Sequence, residues 1–181
     1  MIVDVLLLLL LVGGFALGFF RGMVRQVLAL GAWLVAFVAA AYLQVPLGDW
    51  LDASSTQFSS AYSHMLAFVV LYLITFTAAL LLVEFGGAGS ALTGHPLVDD
   101  AAGGVFGLLL ALVVAAGFVV ALDTFFLTTP TPEAGEVGWL REIHRGLSAS
   151  SLVDLLREWV IRPLGLLLGP LLPADLRALM A

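Results

Sequence analysis

Cysteine and lysine are both missing from this chain of 181 residues. Without cysteine it has no disulfide, no iron–sulfur cluster and no thiol chemistry. Without lysine, its positive charge rests on seven arginines against 13 acids, a net of −6. Phosphate neutralisation needs a basic face, so nucleic acid is excluded as a main partner. Charge of either sign is scarce, at 11% of residues, where a soluble domain carries roughly 25%. Three histidines (His64, His95, His144) lie far apart and out of metal-ligand spacing, and no cofactor is implied. What fills the chain instead is hydrocarbon. Hydrophobic residues make up 62%, before 19 glycines are counted. An ordinary soluble domain is about 45–50% apolar with glycine included. Water-soluble, disordered, collagen-like and coiled-coil classes are excluded, and the chain is a one-domain length built for a bilayer.

The few charges divide the chain into spans. Val5–Phe20 lies between Asp4 and Arg21, and Gln26–Gly48 between Arg25 and Asp49. The stretch from Asp52 to Glu84 turns apolar from Met65, and Ala101–Leu122 is bracketed by Asp100 and Asp123. A helix needs about 20 mainly apolar residues to cross ~30 Å of hydrocarbon. This predicts an all-α membrane protein with transmembrane helices near 2–20, 25–43, 64–84 and 101–122, forming a domain over residues 1–122. The first span carries Asp4 rather than a positive n-region, so it is expected to be retained and not cleaved as a signal peptide.

Arginine near span ends stays cytoplasmic. Arg21 and Arg25 occupy the first connection, whereas the N-terminus and the connection Gln44–Ser63 have none. The expected orientation puts both termini outside, with residues 123–181 an extracytoplasmic tail. The tail holds five more arginines, but they begin at Arg141 and are interleaved with acids.

Lipid is as apolar as leucine, so helices in a membrane associate through small residues that let backbones approach. Gly14, Gly18 and Gly22 repeat every four residues, as do Gly103, Gly107, Ala111 and Ala115, and Ala32, Ala36 and Ala40. These rows are candidate packing seams. Tyr72, Thr75 and Thr77 in the third span are expected to bond their own backbone rather than line a polar path.

No ionisable residue is expected at mid-membrane, where proton relays and coupled-ion sites keep theirs. Nucleophile-elbow, phosphate-loop and zincin motifs are missing. His144, Ser150 and Asp154 make a triad only on paper, and no catalytic or metal-binding residue is assigned.

In the tail, Asp123–Gly135 reads as an extended connector with Pro130 and Pro132. Val137, Leu140, Ile143, His144 and Leu147 then recur at helical spacing. Ser151 and Asp154 form a capping signature, and Pro163 is expected to end the helix that follows. Leu152, Leu155, Leu156, Trp159 and Val160 make its apolar face. The Leu164–Leu172 run is too short to span. These amphipathic helices are expected along the outer membrane interface. The alternatives are a cap docked on the bundle and a partner-binding helix.

Asp4, the segment "GFFRGMVRQVLALGAWLVA" and the later "LVDDAAGGVFGLLLALVV" resemble the colicin V production protein (CvpA) family of bacterial inner-membrane proteins. The matching positions are Asp4, Gly18, Arg21, Gly22, Asp100, Gly104 and Gly107, and Ser150 and Ser151 fit the family's late segment. The chain departs from many members in lacking lysine and in its Asp99–Asp100 pair. The resemblance implies a multi-span inner-membrane protein linked to colicin V production or export. A similar region also precedes some periplasmic serine proteases, and no such protease domain is expected on this chain.

The expected function is a non-enzymatic scaffold or accessory factor in toxin production or export and envelope homeostasis. The alternative is a small channel or a transporter's membrane subunit. The expected partners are the lipid bilayer and other membrane or envelope proteins, with further copies of the chain as another. Arg21 and Arg25 share a helical face. Arg21 either pairs with Asp100, which follows Asp99 at the start of the fourth span, or holds lipid phosphate while the acids favour their helix N-terminus.

Overall fold

The structure is a computed structural model that describes residues 2–54, 60–85, 96–128 and 138–168. Among these residues there is no strand. Four long helices, α1 (Ile2–Arg21), α2 (Met23–Ser54), α3 (Ser60–Phe85) and α4 (Pro96–Thr128), are long and apolar enough to cross a membrane. The tail adds α5 (Gly138–Ser148), α6 (Ser151–Leu156), a π turn (Arg157–Ile161) and α7 (Arg162–Leu168).

The spans are longer than expected at two places. α2 runs on through Pro46 to Ser54, where a connection was expected, and α4 includes Asp123 and continues to Thr128. At 1.5 Å per residue, helices of 32 and 33 residues reach about 50 Å, well beyond ~30 Å of hydrocarbon. Helix and apolar span are therefore different lengths here, and hydropathy reports only the second. The remainders of the expected connections (55–59, 86–95 with His95, 129–137), the end of the last apolar run (169–172) and residues 173–181 lie outside the described residues.

One residue, Gly22, separates α1 from α2, yet these helices barely touch. α1 packs along α4, α4 packs on α2, and α2 packs on α3. The reversal at Gly22 has φ +78°, a left-handed value that glycine adopts without penalty. Its N–H still reaches the Gly18 carbonyl, 3.0 Å away. α1 and α4 run antiparallel, with Gly14 against Ala111, Gly18 against Gly107 and Gly103, and Gly22 against Asp99.

α2 buries Ala32, Ala36 and Ala40. From α2 to α3 an aromatic ladder follows: Trp33 stacks on Phe37 (5.3 Å), Phe37 meets Phe68 edge-on (5.7 Å), and Tyr72 stacks between Phe68 (6.3 Å) and Phe76 (5.8 Å). These rings and Ala115, Ala116, Val119 and Val120 of α4 form the core. Leu6, Leu9, Val12, Leu73, Leu82 and Phe118 stay exposed on the outside, the face that hydrocarbon covers.

The tail folds back on the bundle. Leu147, Val153, Leu156 and Ile161 join the same core as Trp33 and Phe37. The expected apolar face is divided between the bundle and the outside. Leu156 is buried and Leu152 and Val160 are partly covered, but Leu155 and Trp159 are 52% and 74% exposed. Beyond Leu156 the backbone winds with i→i+5 bonds, as in Arg162 N–H to the Arg157 carbonyl, and Ile161 is again buried.

Two further expectations shift. The N-cap is Ser150, not Ser151, and its hydroxyl accepts from Val153 N–H at 3.3 Å. Pro163 does not end the helix. It stands in the first turn of α7, just after the register change, where its missing N–H is tolerated.

Candidate functional site

The two ends of the bundle carry the charges. At the end where α1 meets α2, the arginine end, Arg21 Nη2 lies 3.3 Å from Glu84 Oε1 and Arg25 Nη1 3.8 Å from Oε2. One acid at the end of α3 thus receives both arginines. The partner shown for Arg21 is Glu84 rather than Asp100. Asp99 takes a different place: its Oδ2 would stand 2.5 Å from a Cβ on Gly22. Its Oδ1 is buried with no hydrogen-bond partner among the described residues, and so is Gln26 Oε1 one turn into α2. Asp100, beside Asp99 in α4, is half-buried.

At the opposite, tail end, Asp123 is the hub. Arg157 reaches it through Nη2 (2.9 Å) and Nε (3.1 Å), the two-pronged geometry that suits guanidinium to carboxylate. His144 Nε2 is 3.2 Å from the same Asp123 Oδ1, and its ring stacks on Phe126 at 4.2 Å. Arg157 also touches Asp154 at 3.4 Å. A second tie joins the tail to α1, where the Ser150 hydroxyl donates to Asp4 Oδ1 at 2.7 Å. Ser150 is fully buried, and the same oxygen caps α6, so one side chain both starts the helix and anchors it. Farther round this end, His64 Nε2 is 3.2 Å from Asp49 Oδ1, and His64 packs on Gly48.

These partners separate the paper triad. His144 pairs with Asp123, Ser150 with Asp4 and Asp154 with Arg157. Among the described residues no group of three His, Cys, Asp or Glu could hold a metal ion. The cluster is built to hold the tail against the bundle. Sequence reasoning missed Asp123, His144 and Arg157 as a working set. Asp123 and Arg157 are 34 positions apart and Asp4 and Ser150 146 apart, and no local spacing reports such pairs.

Beneath the tail, between α1 and α3 and floored by α4, lies an apolar cleft of about 420 Å³. Leu6, Leu7 and Leu10 face Phe68, Tyr72 and Leu73 across it, and Ile143 and Leu147 of α5 close its tail end.

A family model described as colicin V production protein matches residues 3–156. A relative called a colicin V production protein homolog, from Haemophilus influenzae, is 31% identical over 106 residues, 58% of this chain. The chain spans about 63% of that relative's length. No solved structure matches it. The matched stretch takes in all four spans, Asp123 with His144 and the Ser150 anchor, stopping one residue short of Arg157, and on that extent the chain belongs to the colicin V production protein family.

Proposed function

We propose that this multi-pass membrane protein is a non-enzymatic scaffold or accessory factor of the bacterial inner membrane, acting in colicin V production or export and in envelope homeostasis. The observation that carries this is the distribution of charge. Every ionised side chain described in the four spans stands at one end or the other: Asp4, Asp49, Asp52 and Asp123 at the tail end, and Arg21, Arg25, Glu84, Asp99 and Asp100 at the arginine end. Between them the helices meet through glycine, alanine and stacked rings. A coupled transporter needs an ionisable group near the midplane. A bundle with polar ends and a lipid-facing flank suits contact with other envelope proteins or further copies of itself.

The reading is tested by flux. The purified full-length protein, reconstituted into liposomes loaded with ions and small solutes, is expected to leave their leak rate unchanged. In a toxin-producing strain, its removal is expected to reduce colicin V release. Sustained selective flux from the purified protein would replace the scaffold with a channel or a transporter subunit.

A further inference from the structure

The cleft under the tail has a shape and a depth that together name its occupant. It is lined from α1 by Val3 to Leu10, from α3 by Phe68 to Leu73 and from α4 by Val114 to Ala121. All three stretches belong to spans, so the cleft lies at hydrocarbon depth. Its lining is apolar almost throughout. Water has nothing to hold it there, since a trapped water needs two to four polar partners.

The opening is lateral. Leu6, Leu10, Leu73 and Phe118 line the cleft and are also exposed on the outside of the bundle. At the tail end it is blind, closed by Val3, Ile143 and Leu147. Val3 is held there by Gly146 of α5, and a Cβ on that glycine would already meet Val3 Cγ2 at 3.1 Å.

The closed end bars a helix. From Val3 to Leu10 the cleft runs about 10 Å along α1, under two turns of helix. A helix seated along it would have to pass through Ile143 and Leu147 of α5 to continue. A flexible hydrocarbon chain can enter from the side and end beneath them. Such chains are the medium on the open side of the cleft.

We propose that the cleft is a binding site for a single acyl chain, entering sideways from the surrounding leaflet and ending under α5. The chain completes the wall between α1 and α3, which α4 joins but which do not pack on each other, and the docked tail sets how far it enters. This inference stands independently of any role in toxin export.

The experiment uses the full-length protein in vesicles of phosphatidylethanolamine and phosphatidylglycerol. One arm contains a trace of phospholipid with a photoactivatable diazirine in mid-chain, and the other a free fatty acid with the same group. After illumination, labelled positions are mapped by peptide mass spectrometry. Label is expected on the inward residues Leu7, Tyr72 and Ala115 as well as on the outward residues Leu9, Val12 and Leu82. Val114→Phe and Val69→Phe fill the cleft from opposite walls. Each is expected to lower inward labelling several-fold while outward labelling, which reports an intact bundle in the bilayer, stays level. Label is expected in the phospholipid arm, because the chain comes from the leaflet, and label confined to the fatty-acid arm would overturn that source. The proposal is overturned if inward residues stay unlabelled in both arms, if neither filling variant lowers their labelling, or if they crosslink to another copy of the protein.

Discussion

Gly18 and Gly13 sit five residues apart on one helix and should answer the same substitution differently. A Cβ on Gly18 would run into the Gly103 carbonyl and the Gly107 Cα, which are backbone and cannot swing aside. Gly18→Ala is expected to push α1 off α4 and to destabilise the bundle by about 1–3 kcal/mol. At Gly13 nothing lies within 4 Å, so Gly13→Ala is expected to be neutral or to stabilise by up to about 1 kcal/mol through helix propensity. Melting of both variants in the same detergent checks the pair, and equal shifts would deny the seam. Gly22 adds a second reason for glycine. Its φ of +78° costs an L residue about 1–2 kcal/mol, and a Cβ there would also press on the Asp99 carboxylate. Gly14, Gly18 and Gly22 look alike in the sequence, with one spacing and one apparent purpose. Two of them let helices approach, and the third also turns the chain, a difference set by backbone geometry that spacing does not encode.

At the scale of the element, the tail is attached by a few polar ties above an apolar contact. Arg157→Ala removes both bonds to Asp123 and leaves His144 as its neighbour. The groups are about 30% exposed, so solvent screening lowers the value of the pair, and a loss of about 1–2 kcal/mol is expected. Hydrogen exchange should show it as several-fold to about tenfold faster opening of α5 and α6, with the four spans unchanged. Arg157→Lys is expected to restore little, because an ammonium cannot make the two-pronged contact. Exchange as slow in Arg157→Ala as in the parent would mean that Val153, Leu156 and Ile161 hold the tail unaided. The existence of the tail helices was legible from periodicity. Which of their apolar residues meet the bundle was not, because that depends on how the tail docks: Leu156 is buried while Leu155 and Trp159 stay exposed.

For the whole molecule, the open question with the sharpest test is orientation. Arg21 and Arg25 lie at one end of the bundle and are expected to face the cytoplasm. The opposite end, with Asp4, Asp123 and the docked tail, then faces outward. A reporter active only in the cytoplasm, fused after Ala181, should be silent, and strong signal would invert this arrangement. The composition and the spacing of charges determined by themselves that the chain lives in a bilayer, that it crosses four times, and that its charges gather at span ends. Those conclusions follow from one-dimensional energetics, since each charged residue is excluded from hydrocarbon whatever its neighbours do. Partners were another matter. Glu84, Asp99 and Asp100 were all possible mates for Arg21, standing at helix ends on one side of the membrane. The glycine contact turns Gly22 toward Asp99 and leaves Arg21, the next residue around the helix, reaching Glu84 of α3. Ser150 on Asp4, Arg157 on Asp123 and the cleft between α1 and α3 likewise exist only once the helices have packed. Each depends on how far apart and at what rotation two distant segments settle, and that is fixed by side-chain volumes meeting in three dimensions.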